Sequence, residues 1–247
     1  MTGSARYDRI GRSYTATRRP DPRIGRLIEE ALGDAARIVN VGAGAGSYEP
    51  DRQVVAVEPS GAMIGQRPPG TAPVVQASAE RLPFRPAEFD GAMAVLTVHH
   101  WGDAAAGLAE LRRVAAGPVV VLTFDHGVHC RQWLVADYLP EMAGIDADVP
   151  TPEAIAAALG GGEVRVVPVP DDCIDGFCHA FWARPEAYLD PTVRAGISSF
   201  ARLPEPVVSA AMARLDNDLA SGRWQERNTG ILEAPAVDAG YRLVVAG

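Results

Sequence analysis

The sequence contains no lysine. All 23 of its basic residues are arginine, so neither a lysine Schiff base nor the lysine of a phosphate-binding P-loop can form. Pyridoxal-type catalysis and Walker-type nucleotide hydrolysis are thereby excluded. Positive charge is also in deficit: 31 acidic residues against 23 basic give a formal charge of −8. Such a surface repels a phosphate backbone and argues against nucleic-acid or anionic-membrane partners, leaving small neutral or cationic molecules as the better fit. No run of 18 apolar residues occurs, and the arginine- and turn-rich stretch 1–26 has no apolar segment of secretory type, which predicts a soluble, cytoplasmic protein. Cysteine is scarce and odd in number. Cys130, Cys173 and Cys178 are read as reduced thiols in a chain large enough to fold without cross-links.

What is present is a globular composition. With 247 residues, 47% of them apolar, the chain can bury roughly 70–75% of its unfolded surface around one core. Short β-rich runs recur at 36–41, 54–57, 74–76, 89–97, 118–124 and 164–169, and a last one at 241–246. Helical stretches fall between them at 61–67, 104–114 (with Asp103 as N-cap) and 152–159. Strands alternating with helices predict a doubly wound α/β sheet that takes its ligand at the carboxyl ends of the strands. Two stretches break the rhythm. Residues 125–150 and 170–236 are expected to form a lid or substrate-binding insertions on a core made of 1–124, 151–169 and 237–247.

The first strand runs into Gly42-Ala43-Gly44-Ala45-Gly46, a glycine loop of the kind shared by several nucleotide-like ligands. Spacing narrows the choice. The dinucleotide fingerprint G-x-G-x-x-G/A would need glycine or alanine where Ser47 stands, and Pro50 cuts short the helix that would face a pyrophosphate. The acid ending the second strand, Glu58, follows Gly42 by 16 residues, against the roughly 20 of a dinucleotide fold. An adenosine ligand without phosphates tolerates both departures.

The runs VNVGAGAGSYEP, VVAVEPS, VVQASAERLPF, FDGAMAVLTVHHW and ELRRVAAGPVVVLTFD, taken in order over about residues 36–125, resemble the motifs of class I S-adenosylmethionine-dependent methyltransferases. The likeness is strongest to the type 11 group related to the ubiquinone and menaquinone methyltransferases. It implies a Rossmann-like seven-stranded sheet with the last strand antiparallel, S-adenosylmethionine as cofactor, and methyl transfer to an oxygen, nitrogen or carbon nucleophile of a small molecule in biosynthetic or secondary metabolism. A protein of this fold that keeps the cofactor as a structural or electrostatic element is the alternative.

By the same resemblance, Gly42, Ala43 and Gly44 admit the cofactor's amino-acid part, and Glu58, followed by Pro59, accepts from both ribose hydroxyls. Met63 lies against the adenine, Ser78, Ala79 and Glu80 line the adenine edge, and Leu96 and Thr97 sit beside the sulfonium. Two positions depart from the group's pattern: Asn40 stands where an acid is common, and Ser78 replaces an aspartate.

Ahead of the glycine loop, Tyr14 and Arg19, with Arg18 as the substitute, are candidates to close over the cofactor and pair with its carboxylate. His100, from the pair His99-His100, is the candidate general base. No metal is expected at His126, His129, Cys130, Cys173, Cys178 and His179: the one close cysteine pair, Cys173 and Cys178, has four residues between its members, at the limit of the C-x₂₋₄-C spacing of a structural zinc site. Trp133, Phe177, Phe181 and Trp182 read as lid core with partial substrate contact. Asp171, Asp172 and Asp175 are either a solvated turn or a polar wall of the substrate pocket.

Overall fold

A computed structural model describes residues 18–247. Seven strands form one sheet in the order β3-β2-β1-β4-β5-β9-β6: β1 (Arg37–Val41), β2 (Gln53–Val57), β3 (Val74–Val75), β4 (Gly91–Val95), β5 (Val119–Phe124), β6 (Glu163–Val166) and β9 (Tyr241–Ala246). Neighbours among β1 to β5 pair in parallel, whereas β9 runs antiparallel to both β5 and β6. Six strands therefore share a direction and one opposes them, as the motif order predicts. β1, β4 and β5 are buried along nearly their whole length, because a parallel strand covered on both faces needs apolar residues at every position rather than at alternate ones.

Successive side chains of a strand point to opposite faces, and β5 divides the core accordingly. Val120 and Leu122 join Ile24, Ile28 and Leu32 of α1 (Pro22–Leu32) on one side. Val119 and Val121 join Leu108, Leu111 and Val114 of α3 (Ala104–Val114) and Ile155 of α5 (Pro152–Ala158) on the other. Between β2 and β3 the helix α2 (Gly61–Ile64) is barely one turn, so the expected stretch 61–67 is shortened. The expected strand 164–169 is split. Pro168 has no N–H to continue the ladder, and residues beyond it form β7 (Val169–Pro170), which pairs antiparallel with β8 (Ala236–Val237) in a separate ribbon.

Residues 125–150 supply α4 (His126–Arg131), a π-helical turn (Leu134–Tyr138) and a 3₁₀ turn (Pro140–Gly144), and 170–236 supply α6 (Pro191–Ala195), α7 (Glu205–Ala220) and α8 (Arg223–Leu232). The two stretches build a third apolar cluster between them, with Trp133 and Tyr138 from the first and Tyr188, Leu215 and Trp224 from the second. Trp133 meets Tyr138, Tyr188 and Trp224 edge-on, at centroid distances of 5.9, 5.6 and 5.2 Å, the geometry in which ring edges face π clouds.

α1 escaped the sequence reading, yet Asp21 caps it and Pro22 opens it. Asp21 is fully buried; one carboxylate oxygen accepts from the Arg23 backbone at 3.0 Å, and the other accepts from the Arg23 guanidinium at 2.7 Å and from Ile174 N–H at 3.2 Å. The guanidinium and the backbone donors outweigh burial and hold the carboxyl at about 2. Its stabilisation is thus present above the ordinary carboxylate pKa and is lost as pH falls through about 2. Asp21→Ala should lower unfolding free energy by about 2 kcal/mol at neutral pH. Denaturant melts should show the gap between parent and variant closing below pH 4; a gap that persists there would assign it to packing instead of the ionised cap.

Candidate functional site

The carboxyl ends of β1, β2 and β4 enclose a cavity of about 430 Å³. Gly42 stands at its floor with φ +73°, and a Cβ there would lie 2.1 Å from Thr97 Oγ1. No other residue fits, on steric grounds and because this left-handed backbone disfavours a side chain. Gly44 is also left-handed, at φ +53°, and a Cβ there would lie 3.4 Å from Met63 Cε. Glu58, 6% exposed, fastens the loop: Oε2 accepts from Gly44 N–H and Oε1 from Ser60 N–H, both at 2.9 Å. A carboxylate offers about four lone pairs, more than these two bonds use. Leu96, at the end of β4, is itself held at φ +50°, a strained conformation of the kind concentrated at ligand sites.

Twelve of the residues named from the sequence line this cavity: Gly42, Ala43, Gly44, Glu58, Pro59, Met63, Ser78, Ala79, Glu80, Leu96, Thr97 and His100. Arg19 does not. It is exposed, and its neighbour Arg18 lines the cavity instead, because Asp175 fixes the Arg18 guanidinium at 2.6 Å while Tyr48 OH donates to the same carboxylate at 2.8 Å. Tyr14 lies outside the described residues. The acidic turn is accordingly no substrate wall: Asp175 is buried in this clamp, Asp172 pairs with Arg23, and Asp171 is exposed.

Trp101, Gly102 and Asp103 also line the cavity and were missed. Their place is set by Glu80, whose Oε1 accepts from Gly102 N–H at 2.7 Å and Asp103 N–H at 3.2 Å. Burial opposes ionisation of Glu80, but these backbone donors and Ser78 prevail and lower its pKa.

Asn40 has a local explanation. It is 1% exposed, and its Nδ2 donates to Glu49 Oε1 at 3.3 Å. Glu49 in turn accepts from Arg67 at 2.8 Å with both oxygens, and Arg67 donates to Gly44 C=O at 3.3 Å. An acid at position 40 would face Glu49 carboxylate to carboxylate, whereas the amide supplies a donor. Asn40 Oδ1 is buried without a partner and its residue lines the cavity, leaving an acceptor for a ligand's ammonium. Together with the unfilled space over Gly42, this orphaned acceptor fits the amino-acid end of the cofactor that the resemblance implies.

A second cavity, about 50 Å³, adjoins the first; Arg18, Leu96 and His100 line both. Its remaining walls include His99, Phe124, Phe177, Tyr241, Ile197 and Ser198. Of the four insertion aromatics, Phe177 lines the second of these two cavities and the other three line neither, while Trp133 and Trp182 are locked inside by indole N–H bonds to Trp182 C=O and Val169 C=O, each at 3.0 Å. Beside this cavity His129 and His179 are buried, and desolvation pushes both below the ordinary imidazole value, His129 to about 4. Burial likewise pushes the Cys178 thiol up to about 12.

Residues 39–118 match a family described as a methyltransferase domain. A crystal structure from Anabaena variabilis ATCC 29413, described as a candidate methyltransferase from an antibiotic biosynthesis pathway, is 31% identical, with a TM-score of 0.84 over 94% of this chain and 99% of that one. A Thermotoga maritima protein, described as an S-adenosylmethionine-dependent methyltransferase and candidate histamine N-methyltransferase, is 21% identical with a TM-score of 0.52, over 68% of this chain and 86% of that one. The latter likeness concerns the fold alone. Among the curated proteins no match is found.

Asn40→Asp tests the local explanation. Exchanging the amide donor for a second buried carboxylate should destabilise the protein by about 1–3 kcal/mol at pH 7. Chemical denaturation of the two proteins reads this directly, and an unchanged or higher stability would detach Asn40 from the Glu49-Arg67 network.

Proposed function

The chain belongs to the class I S-adenosylmethionine-dependent methyltransferases of the type 11 group, and on that premise we propose that it methylates a small molecule whose nucleophilic atom enters through the second cavity. The observation that carries this reading is the shared wall: Leu96 and His100 border the cofactor cavity and the smaller one alike, so a donor in the first and an acceptor in the second meet there. When bound, the cofactor supplies a methyl group made electrophilic by the adjacent sulfonium. The protein's part is to align the two molecules and exclude water, which explains why a catalytic triad or paired acids are not required.

Glu58 would hold the ribose hydroxyls, Asn40 Oδ1 the ammonium, and the Arg18 guanidinium the carboxylate. Met63, Ser78 and Ala79 would form the adenine slot. Residues 125–150 and 170–236 would act as the lid, carrying Phe177 and Ser198 to the acceptor. A cavity of about 50 Å³ has room for little more than a water or two, so it takes the reacting end of an acceptor only, and a larger body has to displace the 196–199 turn. Its aromatic lining, with Phe124, Phe177 and Tyr241, suits a planar or apolar metabolite of biosynthesis, in keeping with the antibiotic-pathway description of the Anabaena protein. No helix among the described residues is long and apolar enough to cross a membrane, and the −8 charge disfavours nucleic acid as acceptor. The reading places the protein among soluble enzymes of the cytoplasm.

His100 is the proposed general base for an acceptor hydroxyl or amine. His100→Ala should lower turnover by about 10²–10⁴ with cofactor affinity nearly unchanged, read as S-adenosylhomocysteine formed over a panel of phenols, amines and activated methylenes. Loss of binding with turnover retained at saturation would make His100 a wall residue; binding without product on any acceptor would favour a non-methylating role for the cofactor.

Glu58→Ala should weaken cofactor binding by about 1.5–3 kcal/mol. It should also lower the melting temperature of the free protein, since Gly44 and Ser60 lose their common acceptor. Unaltered affinity in a titration would move the ribose to another part of the cavity.

A further inference from the structure

The sequence has five histidines, and all five lie in one unbroken run of ring contacts. His99 stacks near His100 at 3.7 Å between centroids, Phe124 lies 5.2 Å from His99 and 5.4 Å from His129, and His129 lies 6.3 Å from His126 and 4.4 Å from His179. Methyl transfer as argued above employs only His100. His129 and His179, 7% and 2% exposed, are left without a task, although burying two imidazoles carries a desolvation cost that apolar side chains of similar volume avoid.

Their arrangement supplies a task. His129 Nδ1 and His179 Nε2 face each other at 2.8 Å, and the Cys178 thiol joins them so that all three ligand atoms lie within 4.8 Å of one another. We propose that His129, Cys178 and His179 bind a divalent transition metal of the zinc class. Two imidazoles and one thiol are borderline-soft donors, which suit zinc, cobalt or ferrous iron and not the oxygen-seeking magnesium or calcium. Around a tetrahedral metal, ligand atoms stand roughly 3.3–3.8 Å apart. The His129-His179 pair must therefore part by about half an ångström, and the imidazole that donates in their hydrogen bond must move its proton to its other ring nitrogen, exchanging one hydrogen bond for two metal bonds. The thiol binds as thiolate and releases its proton to solvent.

Three protein ligands leave a tetrahedral ion one open position, the pattern of catalytic sites. His129 and Cys178 both line the second cavity, together with His100 and Leu96, so the open position faces the proposed acceptor. There the metal would hold an acceptor oxygen or nitrogen and make its proton easier to remove. This last step rests on the reading of that cavity as the acceptor's; metal binding itself does not, and the two fail separately.

The test uses the full chain stripped with chelator and titrated with Co²⁺. Expected are one cobalt per chain, a near-ultraviolet thiolate-to-cobalt absorption, and displacement by Zn²⁺. Cys178→Ser should abolish that absorption, and His129→Gln and His179→Gln should each weaken binding about tenfold or more. Cys130→Ser, whose thiol lies instead 3.6 Å from His126, should bind as the parent does. Far-ultraviolet circular dichroism separates misfolding from lost ligation, and the parent titration stands whatever the variants do. Failure of the parent to bind cobalt or zinc at submillimolar concentration overturns the proposal, as does an absorption that survives Cys178→Ser or disappears with Cys130→Ser. Azide added to the cobalt form should shift its visible bands; a spectrum indifferent to azide would overturn the open position and leave a closed structural ion.

Discussion

The close approach of the β1 loop to the end of β4 governs the rest of the site. With Gly42 so near Thr97 that a single added carbon would sit 2.1 Å from its hydroxyl oxygen, the main chain itself becomes the cavity floor. Everything nearby serves to keep it there. Glu58 takes one N–H from Gly44 and one from Ser60, tying the loop to the start of α2. Arg67 takes hold of the Gly44 carbonyl while paired to Glu49, and Asn40 completes that buried network from β1. The loop's conformation is therefore specified by charge-assisted bonds in a region of low dielectric, where each is stronger than in water and each unmet partner is costly.

The sheet can supply a floor but not a roof. Its parallel strands are committed on both faces to α1 on one side and α3 and α5 on the other, so specificity has to come from residues added at the carboxyl edge. Residues 125–150 and 170–236, proposed above as the lid, build an apolar cluster of their own around Trp133, Tyr188 and Trp224. The clamp of Arg18 and Tyr48 on Asp175 joins the chain ahead of α1, the glycine loop and the second insertion at one buried carboxylate. Arg18 thereby reaches both cavities, and the position of the insertion is coupled to the group proposed to meet the cofactor's carboxylate.

The positions of the strands and the cavity floor were legible because both are written in contiguous runs. A buried strand followed by a glycine loop, and a second ending in Glu58, carry their geometry within a few residues. Asp21 followed by Pro22, with Ile24, Leu27, Ile28 and Leu32 at helical spacing, also announced α1, but the surrounding arginines masked the pattern. Choosing Arg18 over Arg19 needed Asp175, 157 residues away. The histidine cluster was illegible for the same reason: His129 and His179 are 50 residues apart, and no local spacing rule anticipates a meeting that only the packing of the two insertions creates. Asn40 looked like a lost acid until Glu49 and Arg67 were seen to require a donor there.

Isothermal titration of the purified chain with S-adenosylhomocysteine and, separately, with NAD tests the central claim most directly, since the cavity was argued to be shaped for an adenosine ligand without a pyrophosphate. Saturable one-to-one binding of S-adenosylhomocysteine with no heat from NAD is the predicted result. Binding of NAD with none of S-adenosylhomocysteine would contradict the account.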